Sequence, residues 1–225
     1  QLVQAGTSKK DLSKLYPTLY LKERNKIDAI SADVYEDYAY TCRVVKVTLV
    51  YGPAGAGKTT YVRRKLGLKD TFFVNNYDNS AFTYYAGQDN IVLDEFNSGF
   101  KLQTFNLLAD VTPLQLRGLG SVKYACYHNL YIVSNFKITD LYKNVRETDY
   151  RLWQAFNRRI HRIIRIDSAG VEHLERDTEW EPCTNEQDIS QGITEQIKRT
   201  YEYDSLGNQV KIFDRDAKHS DLIEL

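Results

Sequence analysis

The strongest constraint on this chain is the run Gly52-Pro53-Ala54-Gly55-Ala56-Gly57-Lys58-Thr59-Thr60, which meets the pattern GxxxxGK[ST] at every fixed position. An apolar, β-branched stretch (VVKVTLVY, residues 44–51) comes before it, and Lys58–Leu66 after it has helical spacing. A glycine-rich turn between a buried strand and a helix is a phosphate cradle. Gly52, Gly55 and Gly57 let backbone N–H groups turn inward around an anion. The N-terminus of the following helix adds partial positive charge. From this position Lys58 reaches β- and γ-phosphates, and the Thr59 hydroxyl can ligate magnesium. The expected cofactors are therefore ATP and Mg2+.

The same chemistry needs an acidic partner on a neighbouring strand. The segment Ile91-Val92-Leu93-Asp94-Glu95 ends an apolar run with two carboxylates. Asp94 is the expected metal ligand, and Glu95 the expected residue that orients or deprotonates the attacking water. The stretch Leu130-Tyr131-Ile132-Val133-Ser134-Asn135 repeats the theme with an amide at its end. Taken alone, such a pair is also what a strand entering a turn looks like. Arg158-Arg159 closes a helical stretch, and either guanidinium offers a planar fork for a γ-phosphate. Arg151, Arg162 and Arg165 lie nearby, so a solvated basic face is the competing reading. Arg117 and Lys123 flank a glycine turn in residues 114–127, a hairpin pattern whose basic side chains can track a phosphate backbone. Tyr124 and Tyr127 there are either core residues, the default, or a base-stacking surface.

Strands expected at 44–51, 72–74, 91–93, 130–133 and 161–166 alternate with helices at Lys58–Leu66, Leu102–Leu108 and 149–157. That alternation predicts an α/β fold, a P-loop core with a mostly parallel sheet flanked by helices. Residues 1–40 carry apolar positions at helical spacing (Leu12, Leu15, Leu19, Ile27, Ile30, Val34, Tyr38) and form a separate helical segment of two or three short helices. Residues 41–167 are the core. Residues 168–225 form a polar extension, with a weak helix expected at 194–203 and a Gly207-Asn208 turn between 201–203 and 210–213.

Composition excludes other classes. The net charge is zero, so a nucleic-acid ligand would need a local basic feature. No apolar run is long enough to span a bilayer, and the first residues lack the apolar core of a signal peptide. Cys42, Cys126 and Cys183 are too scattered for a zinc site and point to reduced thiols. The absence of methionine implies a fragment, with more protein expected before Gln1.

The order GPAGAGKTT, IVLDEF, LQLRGLGSVKYACYHN, LYIVSN, FNRRI resembles the superfamily 3 helicase domain of replication initiators from circular single-stranded DNA viruses and rolling-circle plasmids. The resemblance covers roughly residues 16–167. It implies an AAA+-like ATPase fold preceded by a small helical oligomerisation domain, and a homo-hexameric ring that moves along single-stranded DNA. It also implies roles. Asn135 would sense the γ-phosphate, Arg159 (or else Arg158) would act in trans, and Lys123 and Arg117 would grip DNA from the hairpin. The hairpin is slightly longer than the viral pattern. The family's endonuclease half is missing, since no His-x-His occurs, and its place would be N-terminal to this segment. A plasmid origin, the preferred one, implies the cytoplasm, and a eukaryotic virus the host nucleus. Rivals are a superfamily 3 ATPase acting on RNA, a P-loop kinase, and an assembly ATPase without unwinding.

Overall fold

The computed structural model describes residues 9–24, 26–27, 43–117, 123–182, 195–204 and 206–214. Two short helices open it, α1 (Lys9–Leu15) and α2 (Pro17–Lys22). Proline at the first position of α2 loses nothing, because its missing N–H would have no partner inside the helix. The expected helical positions at 30–38 lie outside the described residues, as do Cys42, Cys183 and the hairpin tip at 118–122.

The core follows as β1 (Lys46–Tyr51), α3 (Lys58–Leu66), β2 (Thr71–Val74), β3 (Asn90–Leu93), α4 (Leu102–Leu108), a small hairpin of β4 (Gln115–Leu116) and β5 (Lys123–Tyr124), and then β6 (Asn129–Ser134). Next come α5 (Lys143–Thr148), α6 (Tyr150–Arg158) and β7 (Arg162–Ile166). The chain ends in β8 (Glu172–Pro182), β9 (Glu195–Tyr203) and β10 (Gln209–Asp214). One eight-stranded sheet has the order β10-β9-β8-β7-β1-β6-β3-β2. From β7 to β2 every pairing is parallel. From β7 to β10 every pairing is antiparallel. The fold is thus α/β with a mostly parallel central sheet flanked by helices, as expected.

Parallel strands covered on both faces must be apolar throughout. Residues Val47, Leu49, Ile91, Leu93, Leu130 and Ile132 join one core with Phe105, Phe156 and Trp153 from the helices. Val50, Val92, Val133 and Ile164 form the opposite core with Val62 of α3. Helix α6 is fixed at its start by Asp149, whose carboxylate accepts from the Leu152 amide at 3.1 Å. Its Trp153 indole donates to the Leu141 carbonyl at 3.1 Å. Cys126 is a buried free thiol beside the Tyr85 hydroxyl.

One expectation fails in the extension. The helix expected at 194–203 does not form over the described residues 195–203. Glu195–Tyr203 is a strand, hydrogen-bonded between β8 and β10. Its Glu, Gln, Lys and Arg content favours a helix locally, but two flanking ladders outweigh that small preference. The stretch after Asp167, which has no hydrophobic period, contains the long strand β8. The turn at Gly207, with φ 82°, joins β9 to β10 as expected.

Candidate functional site

The carboxyl ends of β1, β3 and β6 lie side by side, and the chemistry-bearing residues leave from those ends. The P-loop begins at Gly52, whose amide donates to the Ser134 carbonyl at 3.3 Å. A Cβ on Gly52 would sit 1.9 Å from the Ile166 carbonyl oxygen, so only glycine lets the loop leave β1 so close to β7. Gly55 and Gly57 have φ values of 79° and 84°, and a Cβ on either would meet open space. Backbone conformation, not crowding, requires glycine at these two positions, and the concavity stays clear for an anion. Gly57 is the residue before α3, so the loop delivers its ligand to a helix N-terminus.

Lys58 is buried to 8% exposure. Its ammonium donates to the carbonyls of Gly52 and Pro53 at 3.0 and 2.7 Å, and to Oδ1 of Asn135 at 2.7 Å. Burial lowers its pKa, and the Asp94 charge works against that shift. The Thr59 hydroxyl donates to Asp94 Oδ1 at 2.9 Å. The fold therefore brings Lys58, Thr59, Asp94 and Asn135 together although they span 77 residues. Among the described residues no cluster of three or more His, Cys, Asp or Glu could hold a metal by itself. Thr59 and Asp94 fit a magnesium ion that takes its other ligands from phosphate oxygens and water.

Glu95 follows with φ 52°, a left-handed conformation that costs a non-glycine residue about 1–3 kcal/mol. Its amide donates to Asp94 Oδ1 at 3.1 Å, and its side chain is exposed. The strained turn holds the second carboxylate in solvent beside the first. The Tyr77 hydroxyl, donating to the Asp94 carbonyl, supports this arrangement. Gly99 is needed for it, because a Cβ there would lie 2.6 Å from the Tyr77 ring. Burial, then the charges of Asp94 and Glu95, raise the Tyr77 pKa, so the phenol stays a donor. Nothing in the local pattern around Tyr77 marked it; a tyrosine among short turns carries no spacing signal.

Arg159 is paired with Asp110 and donates to the Ala155 carbonyl at 2.9 Å. Burial pushes Asp110 up, but the Arg159 hydrogen bond and charge outweigh it and hold this carboxyl below its ordinary range. Arg158 is exposed, and with Arg151, Gln154, Ala155 and Asn157 it lines a surface groove of about 560 Å3. Arg117 is exposed at the end of β4. The Lys123 ammonium donates to the carbonyls of Thr83 and Tyr85, 2.6 Å from the latter. Between those carbonyls Tyr84 projects with 85% exposure. Tyr124 is half-buried, and Tyr127 is fully buried and donates to the Leu108 carbonyl at 2.7 Å.

A family model described as RNA helicase matches residues 48–123. The match runs from β1 through the P-loop and the acidic pair to the far strand of the hairpin, about a third of the chain. Over that stretch the chain is similar to superfamily 3 helicase-type domains, which supports ATP-driven helicase chemistry and nucleic-acid binding. No curated protein matches the chain. Among the described residues no helix is long and apolar enough to cross a membrane.

Proposed function

We propose that this chain is the motor of a superfamily 3 helicase that moves along single-stranded DNA as a hexameric ring. The ring would belong to a rolling-circle replication initiator whose endonuclease precedes this segment. The observation that carries the motor reading is the joined pair of contacts at one sheet edge, Lys58 to Asn135 at 2.7 Å and Thr59 to Asp94 at 2.9 Å, while the DNA, the ring and the initiator rest on the resemblance of the motif order.

The residues divide the work. The P-loop amides and Lys58 bind the phosphate chain. Magnesium held by Thr59 and Asp94 would neutralise charge developing on the phosphate oxygens. Asn135 can exchange Lys58 for a γ-phosphate oxygen or the attacking water, and so report which nucleotide is present. Glu95, in solvent and beside the metal ligand, positions that water and takes its proton. Of the two arginines, Arg158 is the better candidate to reach a neighbouring subunit, because Arg159 is engaged with Asp110. On the hairpin, Arg117 is the better backbone contact, and Lys123 braces the loop that carries Tyr84.

A second reading, action on RNA, is favoured by the description of the matching model. Hydrolysis of ATP and displacement of a labelled strand, each measured with DNA and RNA of equal length, separate the two. Stimulation and unwinding on DNA, abolished by Lys58→Ala, are the expected result. Activity confined to RNA would sink the DNA assignment, and no ATP hydrolysis under any condition would sink the motor itself.

A further inference from the structure

The site is asymmetric about the P-loop. Asn135 and Asp94 both lie on the β6–β3 side of the P-loop, so the γ-phosphate and its metal belong there. A triphosphate lying across the P-loop in that sense would carry its nucleoside end toward the opposite neighbour of β1, which is β7. There the chain makes a tight turn at residues 167–171 before returning as β8. We infer that this β7–β8 turn forms the wall against which the base of the bound nucleoside triphosphate packs, with Val171 as its apolar contact and Asp167 as its positioning residue. The inference rests on the nucleotide-binding reading above.

The turn touches the loop it would serve. A Cβ on Gly170 would meet the Ala56 carbonyl at 3.9 Å, and the Ile166 carbonyl lies against Gly52. It is also rigidly built. Asp167 Oδ1 accepts from the amides of Ala169 and Val171, both at 2.9 Å. Its Oδ2 pairs with His173 Nε2 at 2.9 Å. Both oxygens are thus engaged within the turn, which fixes its shape. Two tyrosines fasten the following strand to the phosphate site from either side. Tyr51, directly before the P-loop, donates to Glu175 at 2.7 Å, and Tyr61, just after it, donates to Glu172 at 2.8 Å. Val171 is left 52% exposed on this braced turn. A flat base laid on it would remove apolar surface from water on both partners.

Inorganic tripolyphosphate carries the phosphate chain without base or ribose, so it isolates the contribution of the turn. Binding of ATP and of tripolyphosphate, each with magnesium, would be measured by calorimetry on the whole chain. The wild-type protein should favour ATP. Val171→Asp should weaken ATP by about tenfold or more while tripolyphosphate stays within about twofold. Asp167→Ala should lower the same ratio by loosening the turn, and a purely structural loss would weaken both ligands together. Equal wild-type affinity for the two ligands overturns the inference and leaves the phosphate site standing. So does a parallel loss, or no loss, in both variants. Wild-type protein that binds neither ligand overturns the nucleotide reading and this wall with it.

Discussion

Strand β1 buries Val47, Leu49 and Val50 completely, whereas β8, two strands away in the same sheet, carries Glu172, Glu175, Arg176 and Asp177 on surfaces still open to water. The parallel half is held by apolar contact on both faces. The antiparallel half is held by ladders and by charge: Arg162 forks onto Asp177 at 2.9 and 2.6 Å, Arg165 meets Glu175 at 3.1 Å, and Arg176 meets Glu202 at 3.2 Å. The difference teaches where the chemistry can sit. A sheet edge backed by that packed core can hold Lys58 beside Asn135 and strain Glu95 into a left-handed turn. A solvated, ion-paired meander can brace such a site but could not store that strain.

The hardest test of this contrast is to remove groups from the site and from the extension and measure turnover. Arg158→Ala, at the end of α6, should cut hydrolysis on the order of 10³–10⁵ and leave the melting temperature unchanged, as expected of an arginine acting on a neighbour's nucleotide. Glu95→Gln should slow hydrolysis by about 10²–10⁴ while ATP still binds. Asp177→Ala in the extension should leave turnover alone. A dead Asp177→Ala protein would erase the division of labour. Arg159→Ala should act differently, costing about 1–3 kcal/mol of stability because Asp110 loses its partner. That cost should be present above the ordinary carboxyl value of 3.8 and fade as pH falls through the lower folded value, where Asp110 takes up a proton. Chemical denaturation at neutral and acid pH would read it. If Arg159→Ala is as stable as the wild type but inactive, the two arginines have exchanged roles.

A step down in effect is the packing itself. Leu49→Ala should destabilise the protein by about 2–5 kcal/mol, since its neighbours on both strands are fixed and the cavity cannot close. A loss under about 1 kcal/mol would mean the central strand is far less tightly packed than its burial implies.

The same contrast explains what could be read from the sequence. Apolar runs ending in Asp94-Glu95 or Ser134-Asn135 announce buried parallel strands, and the P-loop adds a turn with a known task. Helices Lys58–Leu66 and Leu102–Leu108 fall where their spacing put them. Strand β8 was not legible because its stability lies in partners that are distant in sequence. Asp177 finds Arg162 and Glu202 finds Arg176, and no hydrophobic alternation remains to betray the strand. The helix α5 was hidden for a similar reason: Lys143–Thr148 buries no side chain. Pairings such as Lys123 with the Thr83 and Tyr85 carbonyls belong to tertiary structure and have no trace in local pattern.

Smaller effects test the electrostatic half directly. A double-mutant cycle on Arg162 and Asp177 should give a coupling of about 0.5–1 kcal/mol, since both side chains keep over a quarter of their surface in water. A coupling several times larger would make this pair a buried anchor and the contrast with β1 too sharply drawn.

Salt acts on the two halves differently. Raising ionic strength shortens the Debye length from about 30 Å at 0.01 M to about 3 Å at 1 M. Apolar contacts of β1, β6 and β3 contain no charge to screen. The ion pairs across β7, β8 and β9 do, and they are partly solvated. Opening of the extension should therefore grow easier while opening of the core does not. If each pair loses a few tenths of a kcal/mol, amide hydrogen exchange in residues 172–179 and 200–203 should quicken by about two- to fivefold. Amides in residues 47–51 and 130–134 should keep their rates. A uniform response along the sheet would mean that the two halves open as one cooperative unit. Slower exchange of the extension in high salt would mean that its ladders and apolar stems, strengthened by salt, outweigh its charges.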